Sequence, residues 1–261
     1  MVTMEELLVR LPVLRESYAY PPGRLVPDND NCEDVVIVGE VRLKMDVPTT
    51  AQWQQESVRS RYSSVAVDRY HAQLLLSDHA GERLHGLLSV IAWGYVSGTD
   101  SRIRSGRAMG KTRIVIQGAG AKIPQELPFI DQQLDQARQA AQAGDLAAAL
   151  AAAASIKFLG LSFASKLVMK MRPDIAVVLD SVINERFLDR AIPALANFHG
   201  SMASTSKIGM RRNQKRYTDW CNWCRDLAAE LNARQSTWRD WDGSTQQWRA
   251  VDVERAFFAM A

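Results

Sequence analysis

Asp180 is set apart by what precedes it. It ends an unbroken apolar run, Ile175-Ala-Val-Val-Leu179, and lies twenty positions after Gly160. A carboxylate delivered by such a run meets poorly solvated surroundings, which tune its basicity and strengthen its field. That suits two tasks: stabilising a developing positive charge and orienting an attacking water. Leu-Asp-Ser alone is also a capping signal, with Asp180 as N-cap of a helix beginning at Ser181. The turn upstream, Leu159-Gly160-Leu161, joins two amphipathic helical patterns, and Gly160 supplies backbone freedom there. Ser162 or its neighbour then opens a helix whose first N–H groups point beyond the turn, an arrangement suited to phosphate. Lys166 follows Ser162 by one helical turn and projects from a similar face. It could act as a nucleophile, neutralise a phosphate or pair with a carboxylate; a charge role is the expectation.

The elements that must position these groups are mostly helical. Residues 78–97 predict a helix with Leu84, Leu87, Leu88, Ile91 and Tyr95 on one face, ended by Gly98 and Asp100. Residues 99–125 read as a glycine-rich break around one β-like run at 112–117. Helices are predicted over 129–143 and 146–158, separated by a turn and cap at Gly144-Asp145. Further helices are expected at 181–188, 211–233 and 251–259, with a Ser/Gly loop over 197–207. Residues 1–50 look irregular, because Pro21, Pro22, Gly23, Pro27, Asn29 and Asn31 break any long period. Short strands or extended arms are expected there at 35–38 and 41–45.

The hairpin segment resembles the helix-hairpin-helix DNA glycosylases, in which a hairpin grips the DNA backbone and a loop ends in a catalytic Asp. More closely, Gly160-Leu-Ser-Phe-Ala-Ser-Lys166 followed by Val178-Leu-Asp180-Ser-Val182 is similar to the bacterial 8-oxoguanine-glycosylase-like (OGG-like) family. A weaker likeness covers Ala92-Trp93-Gly94 and Asp252-Val-Glu-Arg-Ala-Phe-Phe258. The resemblance implies that a nucleotide of double-stranded DNA is flipped out and its base enters a pocket. Ionised Asp180 would then stabilise positive charge as the C1′–N bond breaks, as carboxylates do in glycoside hydrolysis. Bifunctional members carry a lysine where this chain has Ser162, which implies a monofunctional enzyme that leaves an abasic site. Phe158 stands at the family's first hairpin glycine. Two substrate classes remain open: an oxidised purine, or a phage-modified base such as glucosylated hydroxymethylcytosine, the latter implying antiviral defence.

Two basic clusters suit phosphate contacts: Arg102, Arg104, Arg107, Lys111 and Arg113, and Lys207, Arg211, Arg212, Lys215 and Arg216. With Gly160, Leu161 and Ser162, the residues Arg104, Arg107, Lys111, Arg211, Arg212 and Lys215 form the expected DNA-binding set. Trp93 and Tyr95 are candidate pocket residues; the other tryptophans read as packing. Gly110-Lys111-Thr112 is no phosphate loop, since Ser105 stands where its first glycine belongs. Cys221-x-x-Cys224 has only the distant Cys32 for company, too few cysteines for a zinc or iron–sulfur site, and no metal or other cofactor is expected.

The 261 residues carry a net charge of +3, too mild to argue for nucleic acid unless the charge is clustered. Hydrophobic residues at 47% and charged residues at 23% are those of an ordinary globular chain. No secretory leader or long apolar run is legible, so a cytoplasmic protein without membrane contact, a monomer, is expected. The fold expected is mainly α, a helix-hairpin-helix glycosylase fold with two helical subdomains flanking a cleft. Its parts would be an irregular arm (1–50), a helical subdomain with the basic loop (51–145) and the hairpin subdomain with Asp180 (146–261). The competing classes are a non-catalytic DNA-binding module and a helical interaction protein.

Overall fold

The structure, a computed structural model, describes residues 2–97, 102–202 and 207–260. It is mainly helical, as the periodicity implies. The first fifty residues correct the expectation of irregularity. They hold a helix, α1 (Met4–Glu16), opened by a reciprocal Thr3/Glu6 capping box, with Leu7, Leu8 and Leu11 on its buried face. They also hold strands β1 (Arg24–Pro27), β2 (Val35–Val38) and β3 (Val41–Asp46), paired antiparallel in the order β1-β3-β2. Register sets Leu25 opposite Met45 and Val36 opposite Leu43. Of the residues that suggested irregularity, Pro21, Pro22, Gly23, Asn29 and Asn31 occupy the connections, and Pro27 ends β1.

Helices then dominate: α2 (Thr50–Trp53), α3 (Glu56–Arg59), α4 (Ser64–Leu75), α5 (Ala80–Val96), α6 (Ser105–Gln117), α7 (Leu127–Gln142), α8 (Leu146–Ala154), α9 (Gly160–Met171), α10 (Ser181–Arg186), α11 (Lys207–Ala233) and α12 (Ala250–Phe258). A 3-10 turn (Pro193–Phe198) precedes α11, and a small hairpin of β4 (Trp238–Arg239) and β5 (Thr245–Gln246) precedes α12. Gly98 and Asp100, expected to end α5, lie outside the described residues, as do 203–206 of the Ser/Gly loop. Helix α5 is apolar nearly all round and therefore central, with α4, α6, α7, α9 and β1 packed about it. The β-like run at 112–117 is in fact the second half of α6. Its β-branched residues favour strand locally, but Ala108, Met109, Thr112 and Val115 form one helical face buried against α5, and packing decides. Among the described residues no helix is long and apolar enough to cross a membrane.

Helix α9 is buried along most of its length, yet it carries Lys166 and Lys170, one turn apart. A buried ammonium is tolerable only with a counter-charge. Asp68 of α4 meets Lys170 at 2.7 Å and also takes Arg255 at 2.6 Å and Arg249 at 2.9 Å. Asp252 joins Arg249 at 2.8 Å to Arg15 of α1 at 3.0 Å. This network locks α1, α4, α9 and α12 together in the interior. Asp68→Ala would strand Lys170 and Arg255 without their anion, and is expected to lower the unfolding free energy by about 3–5 kcal/mol. Lys215→Ala, which removes an exposed pair with Asp219, should cost less than about 1 kcal/mol. Urea denaturation of both variants checks this; equal, small losses would show the network to be dispensable.

Candidate active site

The hairpin is built by α8 and α9. Asp145 caps α8 through the N–H of Ala148 at 2.9 Å, as the Gly144-Asp145 signal implies. The helix expected to reach residue 158 stops at Ala154, and the chain turns over residues 155–159. Phe158 adopts φ +70° and Gly160 φ +62°, both left-handed. The turn thus keeps a glycine-like conformation at Phe158, at a cost of roughly 1–2 kcal/mol for a residue with a Cβ. No side chain caps α9, so its first N–H groups carry no such partner.

Beyond α9 the chain turns through Ile175, and Ala176, Val177, Val178 and Leu179 follow as buried coil. Buried coil must find partners for its backbone. Ser165 Oγ accepts the Leu179 N–H at 3.0 Å, and Trp220 Nε1 donates to the Val178 carbonyl at 3.1 Å. These clamps fix the residue that follows, Asp180. One of its oxygens, Oδ1, accepts the Ile183 N–H at 3.1 Å, so Asp180 is indeed the N-cap of α10. The other, Oδ2, receives Lys166 Nζ at 2.7 Å, and the same ammonium donates to Ser162 Oγ at 3.1 Å. Capping and ion pairing therefore coexist on one carboxylate. Burial alone would raise its pKa, but Lys166 and the N–H groups of Ile183 and Val182 outweigh burial and hold it below the ordinary value.

Asp180, Ser162 and Lys166 open onto a cavity of about 440 Å³. Trp93 and Tyr95 line it as well, with Arg107 at its edge. Gly94 lets α5 come close to α9: a Cβ there would lie 2.6 Å from the Phe163 ring and 3.2 Å from Lys166 Cδ. Tyr95 stacks on Phe163 with ring centroids 4.4 Å apart, and Arg107 and Lys111 each lie 5.6 Å from the Tyr95 ring centre. Among the lining residues that sequence reasoning missed are Tyr18, Tyr20, Glu254 and Phe258. Tyr20 anchors itself to the carbonyls of Trp93 and Gly94 at 3.2 and 3.0 Å and packs on Trp93. Glu254 falls in Asp252-Val-Glu-Arg-Ala-Phe-Phe258, legible only as a weak family likeness, and nothing local revealed that Tyr18 and Tyr20 return to it.

The other predicted residues lie elsewhere. Gly160 is exposed at the hairpin and Leu161 is buried beneath it. Arg104 is exposed at the start of α6, and Arg113 is engaged by Asp34 and the Val35 carbonyl. Arg211, Arg212 and Lys215 are exposed on α11 and do not line the cavity. Cys221 and Cys224 are buried in α11, and burial pushes the Cys221 thiol up to about 12, which makes it inert. Asp28, Asp30 and Cys32 come together beside the sheet, but Arg42 and Lys44 already pair with the two carboxylates. A hollow of similar volume, about 470 Å³, lies against α1 and brings no buried polar groups together.

Comparison with known families gives one match: the model described as "Putative 8-oxoguanine DNA glycosylase OGG-like protein" covers residues 43–258. Neither the curated proteins nor the solved structures give a match.

The Lys166–Asp180 pair carries a pH signature. A carboxyl depressed in the folded state stabilises the fold above its unfolded pKa, and that contribution is lost as pH falls through the lower folded value. Lys166→Met removes the cation, so the Asp180 carboxyl should titrate at higher pH than in the wild type. Carbon NMR of the labelled Asp180 carboxyl reads this directly; an unmoved titration would show that Lys166 does not set its charge.

Proposed function

Because the chain belongs to the 8-oxoguanine DNA glycosylase OGG-like family, we propose that it grips duplex DNA, flips out a modified base and hydrolyses its N-glycosidic bond with Asp180 as the central carboxylate. One observation carries this reading: an anionic, fixed Asp180 at the wall of a cavity of small-ligand size that Tyr18, Tyr20, Trp93, Tyr95, Phe163 and Phe258 also line. The uncapped start of α9, behind Gly160, Leu161 and Ser162, suits a DNA phosphate. Arg104, Arg107 and Lys111 on α6, with Arg211, Arg212 and Lys215 on α11, would supply further phosphate contacts. In the reaction, positive charge grows on the sugar as the C1′–N bond breaks, and the Asp180 carboxylate stabilises it.

The enzyme is monofunctional in this reading. Ser162 supplies no amine, and Lys166 Nζ is held by Asp180 and Ser162; an ammonium in an ion pair has no lone pair to attack C1′. The product is an abasic site. The substrate is a phage-modified base such as glucosylated hydroxymethylcytosine, in antiviral defence, or an oxidised purine, in base excision repair. The missing hairpin amine weighs against a standard oxidised-guanine enzyme.

Asp180→Asn tests the role of the carboxylate. The variant should bind duplex DNA with wild-type affinity and release base at least about 10²–10³-fold more slowly under single-turnover conditions. Undiminished release would remove Asp180 from the mechanism. Borohydride should trap no covalent complex with the wild type; a trapped adduct lost in Lys166→Met would assign Lys166 a Schiff base and overturn the monofunctional reading.

A further inference from the structure

The cavity holds a second carboxyl that the glycosylase reading leaves unused. Glu254 lies on α12, lines the cavity with Asp180 and Phe258, and is only 3% exposed. Among the described residues its carboxyl makes no hydrogen bond and no ion pair, whereas Asp68, Asp252, Asp180 and Asp240 are each held by several partners. A buried polar group left open toward a cavity is costly unless something that enters satisfies it.

Its surroundings favour the acid form. Burial is the largest influence, and the neighbouring Asp180 carboxylate adds to it. Arg255 on the same helix, Lys166 on α9 and Arg15 on α1 oppose them, but each already serves another carboxylate. Tyr18, and Tyr217, Cys221 and Cys224 of α11, also face Glu254; burial pushes all four groups up, so they stay neutral and supply no charge. The Glu254 carboxyl is raised to about 8 and is protonated at neutral pH.

We propose that Glu254 is the proton donor to the departing base, and that the substrate is therefore a base that would leave as an anion unless protonated. The proposal rests on the glycosylase reading above. As the C1′–N bond breaks, its electron pair passes to the base ring. The Glu254 proton passes to a ring nitrogen or exocyclic oxygen of that base, which departs neutral. Water adds at C1′ and gives up its proton, which restores the acid form of Glu254. Asp180, which must be ionised, faces the sugar; Glu254, which must be protonated, faces the base. A positively charged alkylated base leaves neutral without help and would not need this residue.

Glu254→Gln keeps shape and hydrogen-bond donor but has no proton to transfer. Single-turnover release of a neutral modified base from duplex DNA is followed across about pH 6–10, which brackets the titration. Wild-type release should fall about tenfold per pH unit above about 8, while Glu254→Gln should be slower by roughly 10²–10⁴-fold at neutral pH and lack that fall. Duplex affinity should be unchanged, which separates the effect from misfolding. Release by Glu254→Gln at the wild-type rate overturns the proposal, as does a slow variant that keeps the wild-type pH profile. Release of no base by the wild type would instead overturn the glycosylase reading and this proposal with it.

Discussion

Charge buried on α9 governs the rest of the molecule. Lys166 and Lys170 stand one turn apart on a helix that the core surrounds, and neither can remain there without an anion. Lys170 takes Asp68, which fixes α4, and Asp68 in turn takes Arg255, which fixes the rotation of α12. Lys166 takes Asp180, which fixes the end of the apolar run. Lys170 also lies 3.9 Å from the Trp93 ring centre, so the same network braces one wall of the cavity. Arg255, held by Asp68, lines the cavity together with its neighbour Glu254 and, one turn on from Glu254, Phe258. Structural ion pairs and candidate site residues therefore alternate along the same two helices.

Two carboxyls in one cavity then acquire opposite characters. Asp180 has a cation and backbone N–H donors, which outweigh its burial and favour the anion. Glu254 has burial and the neighbouring anion, which favour the acid. Pairs of acids pushed apart in this way can divide the labour of cleaving a glycosidic bond, one facing the sugar and one the leaving group. Neither state needs an unusual residue; each follows from which side chains the fold brings within reach.

How much of this could be read from the sequence depended on the range of the interactions. The hairpin, Gly160, the apolar run and Asp180 were legible because they fall within about thirty residues and each leaves a local mark. The cap at Asp145 and the apolar stripe of α5 were legible for the same reason. Helix α1 was not, because the breakers at 21–31 obscured a short capped helix before them, and Pro12 sits inside it. Helix α6 was misread because Ile114, Val115 and Ile116 favour strand locally, and only the packing of Ala108 through Val115 on α5 shows otherwise. Phe158 could not show that it would adopt a glycine-like φ. Tyr18, Tyr20 and Glu254 were missed because they reach the cavity from opposite ends of the chain, 236 positions separating Tyr18 from Glu254.

Whether this cavity cleaves a base from DNA is decided by looking for the free base. Purified protein would be incubated with duplexes carrying oxidised, alkylated, deaminated or phage-type modified bases, with products weighed by mass spectrometry and strands resolved before and after alkali. A free base is expected from at least one duplex, with strand breaks only after alkali. Tight, salt-dependent binding to these duplexes with no base released from any of them would contradict it, and would make the chain a DNA-binding module in which Asp180 only caps α10.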